Sequence, residues 1–287
     1  MLFALLLPLF LVTGLGCLLA RAGWQSSLTE LTARVLIPVF LFSGAFKNGI
    51  PASISWQFLA AFFLPLFAVF LVAAYGWRPS APRALAAAYS NTVFVGIPVL
   101  SQAFGPDSLQ YAFPVIAFHG LAAFSLYYLA SPEKKVLGSL LNAVKNPIVV
   151  SLMLGLACNA IGVTLPAALA SALAMLSAAA LPCALLALGA SLATFRILSW
   201  PETIATVLAK LVLLPALVLG MALYVFRLPA PATAVLVVIA ACPVGVNAAA
   251  LVQADGKNPA LVSSAILLSS IACIATIPLW IWIVQAL

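Results

Sequence analysis

Charge is what this sequence has least of. Only 6% of its 287 residues are Asp, Glu, Lys or Arg, and only five are acidic. A soluble domain carries roughly 25% charged residues. So few charges cannot cover a water-facing surface, so most of the chain must have lipid as its solvent. Histidine is scarcer still, with His119 alone. No Cys-x-x-Cys pair occurs, and Cys17, Cys158, Cys183, Cys242 and Cys273 all lie inside apolar runs. Metal and redox chemistry therefore have no sequence support, and the cysteines read as small packing residues. There is no HExxH and no phosphate-binding Gly-rich loop, so hydrolysis by metal and direct drive by ATP find no motif. No cofactor is called for.

What is present is apolar. The hydrophobic fraction is 66% and the mean hydropathy +1.26. The net charge of +7 could suggest nucleic acid, but the basic residues are scattered singly, apart from Lys134-Lys135, and flank apolar runs. That is the pattern of loops anchored at a membrane face. One membrane helix needs roughly 20 apolar residues. The runs give ten spans, at 2–20, 28–46, 57–77, 84–104, 108–130, 146–163, 167–194, 203–226, 232–254 and 259–286. Residues 1–20 lack a basic start, so they are read as a retained first span. Glu30 and Arg34 are spaced to pair on one helical face.

Loop charge sets the expected orientation. Arg21, Arg78, Arg83, Lys134, Lys135, Lys145, Arg196 and Lys257 fall on the side away from the N-terminus, with Arg34 nearby. Lys47 and Arg227 alone fall on the other. Both termini are thus expected outside the cytoplasm of a cell (inner or plasma) membrane.

The longest polar interruption, 131–145, divides the spans into two sets of five. The expected organisation is a first repeat over 1–132, a cytoplasmic linker over 133–145 and a second repeat over 146–287. Pro8, Gly16 and Gly23 recur as Pro147, Gly155 and Gly162, each displaced by 139 positions. Pro38 before Gly44 is echoed by Pro182 before Gly189, and Leu64-Pro65 by Leu214-Pro215. With five helices per set, the second must enter the membrane from the opposite side. This predicts an all-α membrane protein built as a 5+5 inverted repeat, an architecture of secondary transporters.

The fourth span of each set carries a helix-breaking cluster: Ser90-Asn91-Thr92 with Gly96 and Pro98, and Cys242-Pro243 with Gly245 and Asn247. Proline removes a backbone donor and glycine permits unwinding. Free backbone groups in hydrocarbon need protein or a wet cavity to meet them. The pair predicts two discontinuous helices crossing at the midplane. Their second halves would present N-terminal N–H groups, which suit an anion. Asn91, Thr92 and Asn247 add neutral hydrogen-bonding groups there. Proline can also kink a helix for packing alone, which is the reading of Pro8, Pro38, Pro65, Pro182 and Pro215.

Two further ionisable groups lie within spans. His119, near the centre of span 5, is read either as a proton-coupling group or as a neutral histidine bonded between helices. Lys210, about two turns into span 8, is read as snorkelling to the interface or as attracting a substrate carboxylate. No Asp or Glu lies at mid-depth, which argues against a buried carboxylate pair and shifts the expected cargo toward anions. Span 7 is rich in small residues, which suit internal packing and dimer contact equally.

The segment SNTVFVGIP at 90–98 resembles the fourth-helix motif of the auxin efflux carrier family. KNP at 145–147 resembles the opening of that family's sixth helix, and PVGVNAAALVQ at 243–253 its ninth-helix motif. Plant PIN-formed carriers and bacterial malate and malonate permeases are members. The resemblance implies the fold of bile-acid sodium symporters: helices 1, 2, 6 and 7 as a scaffold, the other six as a moving transport domain, and dimerisation through the scaffold. The short central loop departs from the long-loop plant carriers and resembles a compact prokaryotic-type member. The expected function is secondary transport of small organic anions, malate, malonate or auxin-like acids among them, with a proton or sodium as coupling ion. An anion channel and a membrane sensor are the alternatives. The expected binding residues are Asn91, Thr92, Gly96, Pro98, Pro243, Gly245, Asn247, His119 and Lys210.

Overall fold

The computed structural model describes residues 2–24, 27–49, 54–76, 78–131 and 146–287. The expected linker, with Glu133, Lys134, Lys135 and Lys145, lies outside the described residues. The described chain is all-α, without a named strand. In order, the helices are α1 Leu2–Arg21, α2 Leu28–Asn48, α3 Trp56–Tyr75, α4 Ala81–Ala88, α5 Thr92–Phe104 and α6 Leu109–Leu129. The second set comprises α7 Pro147–Ala160, α8 Ala167–Leu192, α9 Trp200–Val225, α10 Ala230–Ala241, α11 Asn247–Ala254 and α12 Ala260–Gln285.

Seven helices are long and apolar enough to cross a membrane: α1, α2, α3, α6 with its leading turn, α8, α9 and α12. The other three expected spans look different. Expected spans 4 and 9 are each divided, into α4–α5 and α10–α11. Expected span 6 is the 14-residue α7, about 21 Å at the helical rise, short of a hydrocarbon core of about 30 Å.

Proline placement explains much of the local geometry. Pro8, Pro65, Pro114, Pro182 and Pro278 sit inside continuous helices. Pro38, Pro98 and Pro215 each follow a π-helical turn, at Thr32–Leu36, Thr92–Gly96 and Ala209–Leu213. The wider turn absorbs the ring that would otherwise strike the carbonyl four residues back. For Pro215 that carbonyl belongs to Leu211, and it accepts the indole N–H of Trp280 from α12 at 2.8 Å. The donor that proline cannot supply comes from a neighbouring helix.

Glycine determines how closely α1 and α8 approach. The pair packs extensively, as does α2 with α7. A Cβ added at Gly189 would run into the backbone carbonyl of Thr13, and one at Gly16 into that of Leu186. Small residues let backbones touch where hydrocarbon gives helices no hydrophobic reason to associate. The small-residue face of span 7 therefore serves internal packing. The Glu30–Arg34 pair forms at 3.2 Å, well exposed, and all five cysteines are free.

Replacing Gly189 with Leu should separate α1 from α8 and destabilise the fold by at least about 1–3 kcal/mol. Gly14, with open space around it, should accept Ala with an unchanged melting temperature in detergent. Equal melting of the wild type and the Gly189→Leu protein would contradict this packing.

Candidate functional site

The two divided helices meet at their interruptions. α4 stops at Ala88, and Tyr89 turns extended with φ −85° and ψ 116°. α10 stops at Ala241, and Cys242 turns extended with φ −60° and ψ 148°. Between these points Ser90 and Val244 form one antiparallel bridge. The Asn91 N–H donates to the Pro243 carbonyl at 2.8 Å, and the Gly245 N–H to the Tyr89 carbonyl at 3.1 Å. Each unwound segment thus supplies partners for the other, far from water.

The bridge leaves the N–H groups of Ser90 and Val244 pointing outward, and side chains meet both. The Ser90 N–H donates to Nε2 of His119 in α6 at 3.3 Å. The Val244 N–H donates to Oγ of Ser269 in α12 at 3.0 Å. His119 and Ser269 are 150 positions apart, the same displacement that separates Leu64-Pro65 in α3 from Leu214-Pro215 in α9. Two different residue types perform one task at corresponding places.

The first interruption lies earlier than Gly96 and Pro98 suggest. Asn91 sets it: its Oδ1 caps α5 by accepting the Phe94 N–H at 3.2 Å. Gly96 and Pro98 lie within α5, carried by the π turn, and Gly96 faces Cys242 Sγ closely enough that a Cβ there would sit 3.4 Å away. An Asn ahead of an apolar run is an N-cap signal, and it locates the interruption better than the glycine and proline do.

The expected residues divide between two small cavities flanking the bridge. One, of about 40 Å³, brings together Thr92, His119 and Asn247 with Tyr89, Phe124 and Asn146. The other, of about 30 Å³, has Pro98 and Pro243 beside Thr13, Leu188 and Ser270. Asn91 is buried between the elements. Its Nδ2 has no hydrogen-bond partner, nor do Ser90 Oγ and Ser270 Oγ.

Tyr89 largely fills the first cavity, and the sequence reading missed it. Its ring stacks on His119 with centroids 4.9 Å apart and planes 10° from parallel. Its face presses on Gly245, where a Cβ would collide with the ring. Its hydroxyl is hydrogen-bonded to the Asn247 side chain. A tyrosine beside a break carries no distinctive sequence signal, because apolar spans contain aromatics throughout. Asn146, the N-cap of α7 through Ile148 N–H at 2.9 Å, was noted only as part of a motif.

Lys210 corrects an expectation. It does not snorkel. Its side chain is fully buried, and Nζ donates to the Ala240 carbonyl at 2.5 Å. That carbonyl lies in the last turn of α10, where a helix end is partially negative and favours a cation. His119, for its part, is hydrogen-bonded between helices.

Long apolar helices, two of them interrupted inside the bundle around buried polar groups, define a multi-pass membrane protein with an internal polar site. The chain belongs to the membrane transport protein family, that of the auxin efflux carriers, whose model matches residues 133–281. It is a membrane transporter, and its family is one of transporters rather than enzymes. No curated protein matches the chain.

If Ser269 orients the second interruption, Ser269→Ala leaves the Val244 N–H without its partner. The expected cost is about 1–3 kcal/mol, read as a lower melting temperature, with Ser269→Thr recovering most of it. An Ala variant that melts like the wild type would remove Ser269 from this role.

Proposed function

We propose that this transporter carries small organic anions, carboxylates in particular, by alternating access. The observation that carries the reading is the unsatisfied amide Nδ2 of Asn91. It is a hydrogen-bond donor, buried at the N-terminus of an interrupted helix, where the helix dipole also favours negative charge. A carboxylate only accepts hydrogen bonds, so it complements this donor. Asn247, at the start of α11 and paired with the Tyr89 hydroxyl, offers a second amide. Thr92 completes a neutral, polar site.

In this reading the ten spans form two inverted repeats, 1–132 and 146–287, joined by 133–145 and crossing where α4–α5 meets α10–α11. The extensive packing of α1 on α8 and of α2 on α7 supports a scaffold made of these four helices. The remaining helices form the transport domain, and the outer faces of the scaffold suit a homodimer. The cavity beside Asn247 is about 40 Å³, little more than one water's share of liquid volume. A carboxylate substrate must therefore open it, which favours a carrier over an open channel or a static sensor.

The geometry also bears on coupling. Helix C-terminal carbonyls at broken helices commonly coordinate the coupling cation. Here the Lys210 ammonium already occupies that pole of α10, which favours transport without sodium. His119 accepts the Ser90 N–H at Nε2. A proton arriving at Nε2 would replace the acceptor with a donor and release the Ser90 end of the bridge, so His119 is the proposed proton-sensitive group. Lys210 acts on the site by holding α10 rather than by touching substrate.

Malate, malonate and indole-acetate should be screened for thermal stabilisation of purified protein, and the best should be followed as flux in proteoliposomes. Asn91→Ala and Asn247→Ala should abolish both stabilisation and flux; normal binding by both variants would overturn the site. Replacing sodium with choline should leave wild-type flux unchanged, and a sodium requirement would refute the Lys210 argument. His119→Gln should flatten the pH dependence of uptake, and an unaltered profile would exclude coupling through His119.

A further inference from the structure

A third cavity lies away from the interruptions. It has a volume of about 280 Å³ and separates the C-terminal half of α3 from α9. At the far end the two helices touch, with the Trp56 edge on the Phe226 ring at 5.7 Å and α3 packed along Leu214–Val225. Toward the arginine-rich loops they part. Alanines make the gap: Ala68 and Ala73 on α3, Ala205 and Ala209 on α9, with Ala87 of α4 as the floor. Exposed Val72 and Leu213 flank it. Thr206, the one hydroxyl on its wall, donates to the Glu202 carbonyl in its own helix at 2.7 Å. The walls therefore present hydrocarbon.

The wide end is charged. Arg83 lines the cavity and donates to the Ala73 carbonyl at 3.0 Å. Arg78 and Glu202 form an ion pair at 2.6 Å that ties the α3–α4 turn to the start of α9. Two arginines against one glutamate leave the rim formally positive. The rim sits at the helix ends, where lipid headgroups lie, while the apolar part extends along the helices, where acyl chains lie.

We propose that this crevice is a binding site for one anionic phospholipid, with an acyl chain between α3 and α9 and its phosphate at the Arg83 rim. A neutral lipid would satisfy the walls but not the rim. A free anion would satisfy the rim but gain nothing from the walls. The alanine pattern adds a specific argument: larger residues at Ala68 and Ala205 would close the gap by direct packing of α3 on α9, yet the chain keeps it open. The floor is Ala87, two residues before the Tyr89 turn, so the bound chain would touch α4 next to its interruption. The proposal needs only that the protein spans a bilayer and stands apart from the identity of the transported solute.

The test compares phosphatidylglycerol with phosphatidylcholine of identical chains. Native mass spectrometry of the purified protein should show phosphatidylglycerol retained over phosphatidylcholine, by about fivefold for the effect of one cation near an anionic surface. Arg83→Gln should bring that ratio close to unity, and Arg83→Lys should keep most of it. Ala68→Leu combined with Ala205→Leu should remove retention of either lipid while the protein still melts cooperatively. Equal retention of both lipids by the wild type would overturn the proposal. So would undiminished retention by the filled variant. Should the filled variant fail to fold, the Arg83 pair decides: a ratio unmoved by Arg83→Gln overturns the assignment, and one lost with Gln and kept with Lys upholds it. Inorganic phosphate, added at the same concentration, should not raise the melting temperature; if it matches phosphatidylglycerol, the site is for a free anion and the lipid assignment falls.

Discussion

Everything inside this bundle is arranged around one demand: peptide groups that leave a helix within hydrocarbon must find partners in protein. An unsatisfied group there costs several kcal/mol. Two interrupted helices can share this problem, because each exposes what the other lacks. The bridge between Ser90 and Val244 satisfies the inward groups, and His119 and Ser269 satisfy the outward donors. Neither interruption would be stable alone. The site therefore exists as a pair, and the pair is what an inverted repeat supplies.

The same demand appears wherever proline enters a helix end or interior. Trp280 serves the carbonyl left by Pro215, and Lys210 serves one at the end of α10. Both come from neighbouring helices, so each local defect also joins two elements. Some defects are left open: Asn91 Nδ2, Ser90 Oγ and Ser270 Oγ have no partner. All three cluster at the interruptions, where an arriving solute could supply what the protein withholds.

The sequence made the membrane class legible through its shortage of charge, and most helix ends fell within a few residues of the apolar runs. Pro243, Gly245 and Asn247 marked the second interruption because helix breakers and an amide coincide there. The first was misjudged by several residues, because Gly96 and Pro98 are louder signals than the Asn91 cap. Lys210 was misread for another reason. Depth in a span can be counted, but the direction of a long side chain depends on which carbonyl a partner helix brings near. Tyr89 and Ser269 could not be singled out, since each acts only through a contact between distant segments. Span 6 was expected as a full crossing, whereas α7 has only 14 residues.

The π turns before Pro38, Pro98 and Pro215 have a consequence for how these helices are addressed to their neighbours. A π turn amounts to one extra residue in an otherwise regular coil. Each residue advances the helix by about 100°, so the side chains beyond the turn are out of phase with those before it. Such a rod has no single stripe along its length. It has two half-length faces, each aimed at a different partner. Removing any one residue from Thr92–Gly96 would restore a regular coil, yet rotate all that follows to the wrong neighbours. In these three helices length, more than composition, carries the instruction for who packs against whom.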